Sequence, residues 1–203
     1  MGVVFGPRVC AAQRVEEVRM KRLNLYTLDL KYVRSLSKVD DRVMSISPQA
    51  GKQHRPFVGI VLVCGSRSYC IPLSSPKPKH TRMRNALDFM RIVNRNEKLI
   101  GVLNLNNMIP VDSSVIRLVD MKCQPGDSAD ARRYKALLND QLDWCNDNRE
   151  AISRKANRLY DLVVRHPERS RSLVSRCCDF RKLELVLDRR KTAAKPDSRA
   201  AGC

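Results

Sequence analysis

The sequence predicts an α+β fold, in which a strongly curved, largely antiparallel sheet comes first and helices packed around it follow. Three observations carry this expectation. Residues 55–80, RPFVGIVLVCGSRSYCIPLSSPKPKH, read as a hairpin: a β-branched apolar run, a turn at Gly65 and Ser66, and a returning strand. A second pair of apolar runs, residues 87–93 and 98–105, flanks a turn at residues 94–96. A strand followed by two hairpins implies antiparallel pairing. After Gln124-Pro125-Gly126 the apolar residues change from strand spacing to helical spacing.

Taken in order, residues 1–19 carry no clear pattern. They are expected to be a disordered extension ahead of a start at Met20, the alternative being a helix built on AAQRVEEVRMKR. Leu23 to Leu28 has apolar residues on both faces and reads as a strand. Leu30, Val33 and Leu36 fall at helical spacing behind Asp29, a good N-cap, which puts Tyr32 near the end of that strand. Residues 37–54 form a polar loop rich in cations. After the first hairpin, Pro76 and Pro78 restrict their own φ and the residue before each, so residues 74–80 read as stiff and extended. Residues 106–110 end the fourth strand, and residues 115–119 add a short one. Residues 128–146 and 150–165 are amphipathic helices. Pro167 stops the second, and shorter helices at residues 169–177 and 180–187 close the domain, which spans 20–190. Residues 191–203 are expected to form a disordered basic tail.

At 203 residues and 43% hydrophobic content, the chain can bury one core. Its net charge of +18 and pI near 10.0 call for an acidic partner, most simply nucleic acid. The two terminal segments contribute only +1 and +2 of that charge, so +15 belongs to the domain. No run is long enough to span a membrane and no signal-peptide core is visible, so a cytoplasmic protein is expected. Eight cysteines form no CxxC pair, and with three scattered histidines they make no zinc pattern. They read as reduced core residues, and neither a metal nor a small-molecule cofactor is expected. Aromatic residues at 5% are too few for an extended base-stacking platform, so electrostatic tracking of an RNA backbone fits better.

Ser74, Ser75, Lys77, Lys79 and His80 bring hydroxyls, ammonium groups and an imidazole to one strand end. Such a group suits binding or chemistry at a phosphodiester. The bland alternative is that Ser-Ser-Pro ends a strand while lysines solvate the exit.

Several segments together resemble the toxins of type III toxin–antitoxin systems, the ToxN/AbiQ endoribonuclease family. They are YTLDLKY at 26–32, Asp40-Asp41, RPFVGIVL at 55–62, PLSSPKPKH at 72–80, GVLNLNNMIP at 101–110 and CDF at 178–180. The resemblance implies a MazF/Kid-like curved barrel and a metal-independent endoribonuclease silenced by direct binding of a repetitive pseudoknot RNA. It places the catalytic positions on Tyr32, Arg55, Ser74, Ser75 and Lys77, with Arg55 standing where the family often has lysine and Ser74 where threonine is common.

Cleavage without a metal is easiest through in-line attack of the 2′-OH on the adjacent phosphorus, giving a 2′,3′-cyclic phosphate and a 5′-OH. Lys77 and Arg55 suit the pentavalent dianion, and Ser75 suits a nonbridging oxygen or the 2′-OH. His80 titrates near neutrality and is a candidate acid or base, or else a backbone or RNA contact. For Tyr32 the alternative is a core aromatic with a satisfied hydroxyl. Asn104, Asn106 and Asn107 either cap a strand end or touch RNA. The RNA-binding surface is expected to include Lys52, His54, Lys79, His80, Arg82, Arg84, Arg154 and Lys155. It would hold both target mRNA and antitoxin repeat RNA, the latter in a closed toxin–RNA assembly. The rival readings are a non-catalytic RNA-binding regulator using the same surface and a DNA-binding regulator using the C-terminal helices, which show no turn-linked recognition helix.

Overall fold

Leu25 and Leu28 are buried at the two ends of β1, Leu25–Leu28, in a computed structural model that describes residues 22–43, 58–64 and 66–193. β1 pairs with β2, Val58–Cys64, on one side and with β7, Ile116–Leu118, on the other. β2 turns into β3, Arg67–Ser74, in register from Gly59↔Pro72 to Cys64↔Arg67. A Cβ at Gly59 would collide with the Ile71 carbonyl, so this close approach requires glycine.

The other edge of β3 is used twice. Ser68 to Cys70 pair with β6, Ile109–Val111, while Leu73 and Ser74 pair with β5, Leu99–Asn104. A 3₁₀ turn, Leu105–Asn107, joins β5 to β6, so one path along β3 is broken by a bend. β4, Phe89–Val93, pairs with β5 and forms one sheet edge, and β7 forms the other. All pairings are antiparallel, and the sheet is curved but not closed. The predicted fold class is therefore observed, with open edges in place of a complete barrel. β6 went unread in the sequence because it is only three residues long, starts at the end of LNLNNMIP and includes a proline.

Six α-helices surround the sheet among the described residues: α1, Leu30–Ser37; α2, Pro78–Arg82; α3, Ala129–Asp147; α4, Arg149–Val164; α5, Arg171–Val174; and α6, Phe180–Ala193. Asp29 caps α1, its Oδ1 accepting the Tyr32 N–H at 2.6 Å, and Ser128 caps α3 through the Ala131 N–H at 3.1 Å. α3 reaches the β4–β5 hairpin through Gln141, whose buried amide donates to the Ile100 carbonyl at 2.7 Å. A Cβ at Gly101 would lie 2.6 Å from the Gln141 nitrogen, which accounts for the glycine in GVLNL. α6 docks on β3 through polar and aromatic contacts. Arg67 donates twice to Asp188 at 2.7 and 2.8 Å, and the Tyr69 hydroxyl donates to Glu184 at 2.7 Å. Phe180 is fully buried in a mutual cluster with the Tyr69 and Tyr160 rings.

Three expectations change. The loop after β3 is not extended throughout, because Pro78 at the first helical position starts the single turn of α2. The segment 169–177 is a 3₁₀ turn, Pro167–Ser170, followed by the four residues of α5. α6 runs through Ala193, and Lys191 lies 3.4 Å from Asp112, so the first residues of the predicted tail are helical. The extension at 1–19 and residues 194–203 lie outside the described residues. Cys64, Cys70, Cys145, Cys177 and Cys178 are free and buried, and burial pushes the Cys64 thiol up to about 12. Among the described residues no helix is long and apolar enough to cross a membrane.

Candidate active site

The half-sheet formed by β4, β5 and the end of β3 has two different faces. Leu73, Leu103, Met90, Ile92 and Gly101 share the face toward α3, by register and by the Gln141 contact. Ser74, Val102, Asn104 and Phe89 share the opposite face. Val102 and Phe89 are buried yet stand apart from the main apolar core. The segment that follows β3 packs on Phe89, with the His80 ring 5.5 Å from that of Phe89.

Ser74 is the last residue of β3, and the Asn104 amide donates to its Oγ at 2.9 Å. Ser75 follows, exposed. Lys77 then has its backbone held on both sides: its N–H donates to His80 Nδ1 at 3.2 Å, and its carbonyl accepts the His80 N–H at 2.8 Å. The Lys77 side chain is left exposed. The sequence PKPKH produces this geometry directly. Pro78 presets the first helical turn, and His80, two residues later, turns back as the reciprocal half of a capping box.

His80 is 5% exposed, and burial, then the charges of Lys79 and Lys77, lower its pKa. A neutral ring whose Nδ1 accepts a hydrogen bond carries its proton on Nε2. His80 therefore stands as a prop beneath the lysine loop.

The structure brings Ser74, Ser75, Lys77 and His80 together and leaves Tyr32 elsewhere. The Tyr32 ring is fully buried and its hydroxyl donates to the Pro110 carbonyl at 2.6 Å. Pro110 is opposite Tyr69 on β3, five residues before Ser74, a separation of roughly 16 Å along a strand. Burial, above all, raises the Tyr32 pKa far beyond neutrality, so the phenol stays protonated. The predicted catalytic placement gives way to the core reading because α1 turns this face toward β6. Arg55, Lys52 and His54 lie outside the described residues.

Lys79, Arg82 and Arg84 are exposed on α2 and just after it, with no ion-pair partner among the described residues. Arg154 is exposed on α4, with Glu150 at 3.8 Å. Lys155 is used differently from the prediction. Its ammonium donates to the Ala86 carbonyl at 2.7 Å, and burial lowers its pKa, so it ties α4 to the end of the lysine segment.

The remaining motifs form a latch. The Asp40 carboxylate, 5% exposed, accepts from Arg42 Nε at 2.9 Å and from the Asp179 N–H at 2.6 Å. Burial opposes its ionisation, but these hydrogen bonds and the Arg42 charge outweigh burial and lower its pKa. Asn106 accepts the Cys178 N–H at 2.9 Å and donates to the Arg176 carbonyl at 3.2 Å, while Asn107 donates to the Arg42 carbonyl. Asp40, LNLNNMIP and CDF thus join α1, the β5–β6 bend and α6. Sequence reasoning named Asn104 as a strand-end cap or RNA contact but missed that it fixes Ser74, because the pairing of β3 with β5 that brings them together was not predicted.

Comparison with known proteins gives one consistent family. The family described as "Toxin ToxN, type III toxin-antitoxin system" matches residues 24–188. The endoribonuclease ToxN of Pectobacterium atrosepticum is 29% identical over 145 residues, covering 70% of this chain and 82% of that protein. The endoribonuclease ToxN of Bacillus thuringiensis subsp. kurstaki is 29% identical over 163 residues, covering 78% and 79%. A solved bacterial type III toxin–antitoxin structure, described by selective toxin inhibition by a non-coding RNA pseudoknot, superposes with TM-score 0.69 at 27% identity. It covers 84% of this chain and 99% of its own.

Proposed function

The chain belongs to the ToxN toxins of type III toxin–antitoxin systems, and on that premise we propose that it is a metal-independent endoribonuclease working at Ser74, Ser75 and Lys77. The observation that carries this reading is the presentation of Ser75 and Lys77. Both side chains are exposed, on a backbone fixed at Lys77 by His80 and at Ser74 by Asn104. Such a preorganised donor and cation suit a phosphodiester whose charge grows in the transition state.

In the proposed reaction the substrate's 2′-oxygen attacks phosphorus in line. A new O–P bond forms as the bond to the 5′-oxygen breaks, and the 2′ proton leaves as the 5′-oxygen gains one. Lys77, with Arg55, offsets the charge of the dianionic phosphorane. Ser75 donates to a nonbridging oxygen, and Ser74 orients it. Tyr32 contributes only by fixing α1 against β6. The substrate is cytoplasmic mRNA.

The same surface is proposed to hold a repetitive pseudoknot RNA, like the RNA described for the solved relative. That RNA occupies Ser75 and Lys77 and continues across exposed cations such as Lys79, Arg82, Arg84 and Arg154, so inhibition is by occupancy. An RNA touching two toxin copies through unlike surfaces closes into a ring if the rotation permits. Incubation with RNA in excess EDTA tests the catalytic reading. Cleavage is expected; RNA left intact at high protein concentration would favour a non-catalytic RNA binder.

A further inference from the structure

We propose that Arg91 is a substrate-binding residue of this site, holding a phosphate of the RNA chain next to the one that is cut. The inference rests on the ribonuclease reading above and adds a residue to it.

Arg91 is the single cation of β4, in the run FMRIV. In register it pairs with Val102, and Val102 pairs with Ser74 on the far side of β5. Residues directly opposite in antiparallel strands point to the same face, so Arg91, Val102 and Ser74 form one row. The row spans two strand spacings, about 10 Å from Ser74 to Arg91. This is the face on which the lysine segment packs at Phe89, not the face toward α3.

That segment also passes Arg91 directly. The Asn85 side chain accepts the Arg91 backbone N–H at 2.7 Å, and the Ala86 N–H donates to the Phe89 carbonyl at 2.9 Å. Arg91 is thus held at the rim where the loop carrying Lys77, Lys79, Arg82 and Arg84 meets the sheet.

The side chain is half-buried, and its Nε is enclosed with no hydrogen-bond partner among the described residues. No carboxylate lies within ion-pair distance of its guanidinium among those residues; the nearest acid in sequence, Asp88, is engaged by Arg176 at 3.0 Å. Burying part of a guanidinium without a partner costs free energy, and buried polar groups are otherwise almost always satisfied. A charge left in this condition on the face of the proposed site is explained by an anion that arrives with the substrate. Arginine's planar fork matches two phosphate oxygens at once. With Lys77 at one end of the row and Arg91 at the other, the RNA backbone would cross the strands from β3 to β4.

The test compares Arg91→Gln and Arg91→Lys with the full-length wild type, with cleavage kinetics as one readout. A Ser75→Ala background is used for binding, so that RNA stays whole. Arg91→Gln is expected to raise KM about tenfold or more, with kcat changed less. The slope of log affinity against log salt should become shallower by roughly 0.7–0.9, the loss of one phosphate contact. Its Tm should equal or exceed that of wild type, because an unpaired buried donor has been removed, and Arg91→Lys should recover part of the affinity. Unchanged KM and salt slope in Arg91→Gln, with cleavage still dependent on Ser75, would overturn the Arg91 assignment alone. A fall in Tm that accounts for the lost activity would make Arg91 structural and overturn it too. A wild-type chain that neither cuts nor binds RNA would remove the ribonuclease reading and this one together.

Discussion

Ser75→Ala is expected to lower RNA cleavage by at least about 10²-fold, the usual cost of losing one donor aimed at a developing oxyanion. RNA affinity should stay within a few-fold of wild type, because one hydroxyl adds little to an interface of many phosphates. Thermal stability should not change, since Ser75 is exposed. Lys77→Ala should lose both turnover and affinity while keeping the loop, because it is the Lys77 backbone, not its side chain, that His80 holds. The pair separates chemistry from grip, and purified variants assayed by cleavage and filter binding show which is lost. Full activity of the Ser75 variant would remove the hydroxyl from the mechanism.

Asp40→Ala should act through stability rather than through the chemistry. Removing a buried carboxylate that accepts from Arg42 and Asp179 leaves the start of α6 without its tie to α1. The expected cost is about 3 kcal/mol. For a domain of this size that is a fall in Tm of roughly 6–12 °C. The pH dependence has a definite sign. The folded Asp40 pKa is lowered from 3.8, so its contribution is fully present above the unfolded value and is lost as pH falls below 3.8 through the folded one. Melting curves should therefore converge for wild type and variant in acid. A Tm within a degree of wild type at pH 7 would contradict the latch.

Much of this was legible in the sequence, for physical reasons that also mark where legibility ends. The β2–β3 hairpin was visible because β-branched residues flank a glycine-serine turn, and α3 because Ser128 precedes a long helical period. The pairing of β3 with both β5 and β6 was not, since β6 has only three residues and its register is set by distant partners. Local spacing places Tyr32 on one face of α1 but does not say what that face meets; the answer was the Pro110 carbonyl. Likewise residue type marked His80 and Lys155 as polar candidates, whereas their partners, Lys77 and Ala86, appear only in the folded chain. Arg91 had a signal that went unused. In FMRIV, the alternation that puts Met90 and Ile92 toward α3 puts Arg91 with Phe89 on the other face, the face that Ser74 shares.

Mapping the ends of the RNA fragments made in excess EDTA tests the central claim most directly. In-line attack by the 2′-oxygen at the Ser75–Lys77 site predicts a 2′,3′-cyclic phosphate on the upstream fragment and a 5′-OH on the downstream one. Fragments bearing a 3′-OH and a 5′-phosphate would contradict it, because those ends require an attacking water in place of the substrate's own hydroxyl.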